Sequence, residues 1–226
     1  MSDLVTVTGM VLKVAPLLEN DKRLVILTKE RGKIAAFAKG VRKQNSPLQA
    51  ACRPFCFGEF TLYEGRSSYT VKSVEIANYF ENLGNDMELV CYASYFAELA
   101  DYYTRENNDE RQMLLLLFQS FRALEKETLP NGLVRLIYEM KAMAVNGEYA
   151  PQLPFEVCQA TLYTLKYIVA SPVEKLYTFR VSDQVMKELG RAVGWLRQRF
   201  IDRQFHSLKV LESMTAFSGL ADSPQL

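Results

Sequence analysis

The chain has 226 residues, 49% of them hydrophobic and 23% charged, with a formal net charge of +1. A chain of this length buries a core without metal or disulfide help, and its composition excludes disordered and fibrous classes. The longest apolar run, residues 113–118, is too short to span a bilayer, and the first residues lack the basic and apolar regions of a signal peptide. A cytoplasmic protein with no membrane contact is expected.

The first eighty residues read as strands. Val5, Val7, Gly9 and Val11 alternate with Thr6, Thr8, Met10 and Leu12, the period of a half-buried strand. A turn at residues 19–22 leads to a second strand at 23–28, and a turn at 30–32 leads to a third at 33–39. Strands four and five are expected at 55–63 and 69–76, joined through residues 64–68. Residues 40–53 separate strands three and four. Within them Ser46 and Pro47 look like an N-cap and a first helical position, with one helical turn through Ala51. Five antiparallel strands with a helical insert after the third is the layout of an oligonucleotide-binding (OB) barrel.

Beyond residue 78 the period becomes helical. Leu89, Ala93, Phe96, Ala100 and Tyr103 share one face, as do Leu114, Leu117, Phe121 and Leu124, and then Leu133, Ile137, Met140 and Ala144. Asn146-Gly147 is a left-handed helix stop. Pro154 is expected to open a fourth helix that Ser171-Pro172 breaks, a fifth starts near Ser182, and a short sixth near Ser207. The fold class is therefore α+β multidomain: a barrel domain over residues 1–80 and an all-α domain over residues 81–226.

Charge is segregated along the chain. Between residues 22 and 53 stand nine bases (Lys22, Arg23, Lys29, Arg31, Lys33, Lys39, Arg42, Lys43 and Arg53) against Glu30 alone; between 81 and 130 ten acids face four bases. Lys33 and Lys39 lie on one face of the third strand, and Arg42 and Lys43 follow just past Gly40. Such a cluster suits the phosphates of a single strand, with Phe37, Tyr63, Tyr69 and Phe57 as candidate stacking surfaces. A solvated basic loop is the plainer alternative. The expected nucleic-acid-binding residues are Lys33, Lys39, Arg42, Lys43 and Arg53. A second basic stripe, Lys187, Arg191, Trp195, Arg199 and Arg203, recurs every four residues opposite Val185, Leu189, Val193, Leu196 and Phe200. It suits DNA, an acidic peptide, or solvent alone. Glu98 and Asp101, at helical spacing, are expected to solvate a surface.

No catalytic pattern is present. The sequence lacks a phosphate-binding Gly-Lys-Ser/Thr loop and an HExxH pair, and it has one histidine, His206, where a helix should begin. Cys52, Cys56, Cys91 and Cys158 form no CxxC pair, so they read as buried thiols. No enzyme activity, metal or cofactor is expected.

Several segments together resemble the RecO family of bacterial recombination mediators. They are Gly9-Met10-Val11-Leu12-Lys13, residues 23–28 with Gly32-Lys33, Ala38-Lys39-Gly40-Val41-Arg42 with Ser46 and Leu48, Pro54-Phe55 and Leu62-Tyr63-Glu64-Gly65. Residues 92–99, the motif at residues 147–153 with Glu148 inserted, and residues 206–209 extend the resemblance over nearly the whole chain. It implies an OB barrel, a helical second domain, binding of single- and double-stranded DNA, and strand annealing. It also implies RecR and the C-terminal tail of the single-stranded-DNA-binding protein as partners, leading to RecA loading. Many relatives carry a four-cysteine zinc site where this chain has Cys158 alone, which argues against zinc. Two other functions fit the residues: an adaptor whose basic stripe captures acidic tails with little DNA affinity, and an RNA-binding barrel.

Overall fold

In the computed structural model residues 3–66, 68–150 and 152–221 are described, with side chains as far as residue 214. Met1 and Ser2, Ser67 of the expected fourth turn and Pro151 of the motif at 147–153 lie outside the described residues.

Five strands form a closed barrel: β1 (Leu4–Leu17), β2 (Asp21–Thr28), β3 (Gly32–Ala38), β4 (Phe57–Glu64) and β5 (Tyr69–Asn78), in the order β1-β2-β3-β5-β4. All neighbours are antiparallel except β3 and β5, which pair in parallel at Ala36 with Tyr69 and Phe37 with Thr70. Closure depends on the length of β1. Its first half pairs with β4 and its second half with β2, and Gly9 and Met10 pair on both sides. A bulge at Leu12 bends the strand there. A Cβ at Gly9 would lie 2.5 Å from the carbonyl oxygen of Leu27, so no larger residue fits where the strand crosses from one partner to the other. Val7, Val11, Leu24, Ile26, Ile34, Ala36, Phe60, Leu62 and Val71 fill the interior. The OB reading of the alternating strands is correct, although β1 runs on to Leu17. β4 begins at Phe57 rather than Phe55, because Phe55 is left-handed with φ 72° and cannot extend a ladder.

The segment between β3 and β4 is a string of turns, not a helical insert. Its single α-type hydrogen bond runs from the Cys52 amide to the Leu48 carbonyl at 2.9 Å. Asn45, left-handed at φ 61°, breaks the coil, and the segment is anchored by Val41, Cys52 and Cys56, which join the barrel interior.

Seven α-helices follow among the described residues: α1 (Glu81–Asn85), α2 (Met87–Tyr103), α3 (Arg111–Lys126), α4 (Asn131–Val145), α5 (Gln159–Ala170), α6 (Asp183–Phe200) and α7 (His206–Ala221). The chain divides into two compact units. One joins Met1–Glu81 to Ala100–Phe118, and the other joins Asn82–Leu99 to Gln119–Leu226, so the division passes through α2 and α3.

In the second unit α4 is the central element, packed against α5 and α6, with Leu133, Val134, Leu136, Ile137, Tyr138, Met140 and Met143 all buried. It stops as its sequence predicts. Gly147 is left-handed at φ 78°, and the amide of Glu148 donates back to the Met143 carbonyl. Two other boundaries differ from expectation. α5 starts after Cys158 rather than at Pro154, because Glu188 of α6 accepts hydrogen bonds from the Cys158 amide and the Thr161 hydroxyl, both at 2.7 Å, and so supplies the cap from outside the local sequence. α7 is 16 residues long rather than short. Its start is capped by Glu98, which accepts from the amide and hydroxyl of Ser207.

Candidate nucleic-acid interface

The pleat of β3 sorts its side chains without ambiguity: Ile34, Ala36 and Ala38 point into the barrel, while Lys33, Ala35 and Phe37 point out. Strand register then assembles an outer row from four strands. Arg23 of β2 lies opposite Phe37 of β3, Phe37 beside Thr70 of β5, and Thr70 opposite Tyr63 of β4. Two residues past Phe37 comes Lys39, in the turn just beyond the end of β3 at Ala38 rather than in the strand, and two residues past Thr70 on β5 comes Lys72; both are exposed, and the Lys72 ammonium lies 5.9 Å from the centre of the Tyr63 ring. The face therefore sets three cations, Arg23, Lys39 and Lys72, near two aromatic rings, which suits a backbone of phosphates carrying stackable bases.

The loop after β3 extends this row. Its first residues are stitched to the β1–β2 turn: the Gly40 amide donates to the Asp21 carboxylate at 2.8 Å, and the Arg42 amide to the Asn20 carbonyl at 3.0 Å. Lys22 holds the far end by donating from Nζ to the Cys52 carbonyl at 3.1 Å. Lys39, Arg42, Lys43 and Arg53 all project into solvent from this tethered loop. Among the described residues, none of these four, nor Arg23 or Lys72, has an acid within ion-pair distance.

Lys33 is placed differently. Its ammonium is 3.0 Å from Asp101 Oδ1 and 2.5 Å from the Asp101 carbonyl oxygen, and Lys13 reaches Asp101 Oδ2 at 2.7 Å. Burial alone would raise the Asp101 carboxyl, but hydrogen bonds and charge from Lys13 and Lys33 outweigh it and hold it below the usual carboxylate range. Asp101 thus does not merely solvate a surface, and Lys33 is not free as Lys39 is. The same segment bonds to the barrel again where the Lys33 amide donates to the Arg105 carbonyl at 2.9 Å and Gly32 bridges Glu106. Met10 and Leu27, outward-facing partners on β1 and β2, are fully buried.

Of the four aromatics expected to stack, Phe37 and Tyr63 remain on the outer face. Tyr69 is buried, and Phe57 packs on Phe118 with ring centres 4.7 Å apart. Sequence reasoning missed Arg23 and Lys72 as members of the row. The alternation Tyr69-Thr70-Val71-Lys72 carries a signal for Lys72, whereas Arg23 joins only through cross-strand register.

Comparison with known proteins bears on this barrel directly. The family description "Recombination protein O N terminal" matches residues 1–80, and "Recombination protein O C terminal" matches residues 84–159. The chain belongs to the RecO family. Among its relatives is the DNA repair protein RecO of Acetivibrio thermocellus, 26% identical over 242 residues that cover 92% of this chain and 96% of that one. The protein of the same name from Alkaliphilus metalliredigens is 36% identical over 144 residues, 64% of this chain and 58% of that one. The Clostridium novyi protein is 33% identical over 139 residues, 62% of this chain and 54% of its own. The matched stretch thus spans little more than half of two of these relatives and nearly all of the first.

In this RecO family chain the helical unit carries the second basic stripe on α6, in altered form. α6 ends at Phe200, so Arg203 lies beyond the helix and leaves the stripe. Arg191 donates to the Glu156 carbonyl at 2.7 Å and lies 4.2 Å from the Phe155 ring centre, pinning the segment before α5. Arg199 covers the half-buried Trp195 at 5.5 Å, Arg203 lies over Phe205 at 5.8 Å, and Lys187 is exposed. Arg197, midway between stripe members Trp195 and Arg199 and so off the expected stripe, faces the buried carboxylate of Glu139 at 3.9 Å and Glu212 at 3.5 Å, while Tyr95 donates its hydroxyl hydrogen to Glu139 at 2.8 Å. Among the described residues no three of the four cysteines come together. Cys52 and Cys56 lie in the barrel interior, Cys91 is on α2, and Cys158 Sγ sits 3.3 Å from the Thr161 hydroxyl. Among the described residues no group of three His, Cys, Asp or Glu side chains is placed to hold a metal, and no helix is long and apolar enough to cross a membrane.

Proposed function

We propose that this protein binds DNA on the outer face of its barrel and brings complementary single strands together during recombinational repair, in concert with RecR and the acidic tail of the single-stranded-DNA-binding protein, so that RecA is loaded. The observation that carries the reading is the set of six exposed cations without an acid partner among the described residues: Arg23 and Lys72 in register with Phe37 and Tyr63, and Lys39, Arg42, Lys43 and Arg53 on the tethered segment that follows β3. Phosphate contacts of this kind grip a strand without reading its sequence, and two aromatic faces accept any base. Such a surface leaves base edges free for pairing, which annealing requires. The names of the relatives, each a DNA repair protein, support the same reading.

The test is titration of labelled oligothymidylate, the matching RNA and a duplex across a salt series, followed by annealing of complementary strands monitored by fluorescence. Binding of DNA with accelerated annealing is expected. Binding confined to RNA would point to a ribose-reading barrel, and binding of an acidic peptide with no DNA affinity would point to an adaptor.

A further inference from the structure

Two lysines of the barrel's outer face are already occupied by an anion that the chain supplies. Lys13 lies in the β1 register position opposite Val25, one outward row from Arg23, and its side chain is 39% exposed yet its ammonium is 2.7 Å from Asp101 Oδ2. Lys33, 21% exposed, meets both the carboxylate and the backbone carbonyl of Asp101. A carboxylate bridging two ammonium groups stands where a phosphate would stand if the strand continued along the face. We propose that Asp101 is an internal counter-anion that holds Lys13 in reserve, and so sets the edge of the nucleic-acid-binding face and limits its affinity.

The two lysines differ in what holds them. Lys33 keeps a neutral partner, the Asp101 carbonyl, when the carboxylate charge is removed, and it remains a strut between β3 and the end of α2. Among the described residues Lys13 has no partner but the carboxylate. Removing one charge therefore frees one cation, at a position continuous with Arg23 and Phe37. A strand that reaches Lys13 must compete with a half-buried ion pair, so longer strands gain less at this edge than their extra phosphates would otherwise provide.

The inference rests on the proposed binding of nucleic acid to this face, and Asp101→Asn tests it. Labelled oligothymidylates of about 15 and 30 nucleotides serve as probes, each titrated over a salt series. The variant should bind more tightly at low salt, with a log-affinity against log-salt slope steeper by about 0.7, the value of one further single-strand phosphate contact. Adding Lys13→Ala to Asp101→Asn should return the slope to that of the unsubstituted protein. In the otherwise unchanged protein, Lys13→Ala should leave the slope alone whereas Lys39→Ala flattens it. That comparison needs no folded Asp101 variant, and flattening by Lys13→Ala overturns the proposal. If the unsubstituted protein binds and folded Asp101→Asn shows the same affinity and slope, Asp101 is only a strut and the reserve is refuted while the interface stands. If neither protein binds either probe, the interface reading and this one fall together.

Discussion

Lys33 lies in β3 and Lys39 just past its end, one residue beyond Ala38, and their different fates show what a sequence pattern leaves open. Alternation places both outside the barrel, but Asp101, 68 residues from Lys33, captures one and leaves the other. Exposed charges without partners contribute little to stability, so Lys39, Arg42 and Lys43 can be removed without harming the fold. The triple alanine variant should melt within a degree or two of the parent and bind DNA more weakly, its salt slope flattened by about 0.7 for each phosphate-binding cation removed. Thermal denaturation and a salt titration check both halves. Glu188 presents the opposite case, a carboxylate engaged by its own fold. Hydrogen bonds from the Thr161 hydroxyl, the Cys158 amide and Gln184 pull its pKa down to about 2. A depressed folded-state pKa means that the stabilisation is present above the unfolded value of about 4.3 and is lost as pH falls towards 2. Glu188→Gln should lower the melting temperature at pH 7, and the gap between variant and parent should close between about pH 4 and pH 2. A gap independent of pH would show that the charge is not what caps α5.

At the scale of elements, periodicity located every strand of the barrel and the helices from α2 to α7, because burial on one face imposes periods of two and of 3.6 regardless of partner. Boundaries were legible where the signal is local: Ser182 accepts from the Val185 amide at the start of α6, and Gly147 ends α4. They were illegible where the partner is distant. Glu188 sets the start of α5 from 30 residues away, and the segment between β3 and β4 stays a chain of turns because its apolar side chains plug the barrel. The basic stripe was misjudged for a related reason: spacing of four continues past Phe200 in the sequence, but the helix does not. Gly32 shows how an element can depend on a single atom. It is left-handed at φ 65°, and a Cβ there would lie 2.3 Å from the Arg105 carbonyl oxygen, to which the Lys33 amide donates. Gly32→Ala combines backbone strain with that collision and should cost about 1–3 kcal/mol in urea denaturation, the range for a residue forced into a disfavoured conformation. Gly84, with nothing near its missing Cβ, supplies the contrast: Gly84→Ala should be nearly neutral.

At the scale of the whole molecule a net charge of +1 suggests a protein indifferent to polyanions, and the segregation of charge reverses that expectation. The acidic surplus at residues 81–130 does not cancel the basic surplus at 22–53, because part of it is engaged inside the structure. Asp101 binds lysines, Glu98 caps α7 and Glu110 accepts from the Arg105 amide. Arg23 and Lys72 near Phe37 and Tyr63, and Lys39, Arg42, Lys43 and Arg53 on the segment after β3, are six cations left facing water. Counterion release depends on phosphates neutralised locally and not on the total charge of the protein. On the proposed function each of the six cations would meet one phosphate and contribute about 0.7 to the single-strand slope, so log affinity should fall against log salt with a slope of roughly −4. Between about 50 and 200 mM salt this amounts to a weakening of about a few hundredfold, measurable by fluorescence anisotropy with a labelled oligothymidylate. A slope near about −1 would mean that the barrel row meets the strand through only one or two of its cations, and that stacking on Phe37 and Tyr63, which salt hardly touches, carries the binding instead.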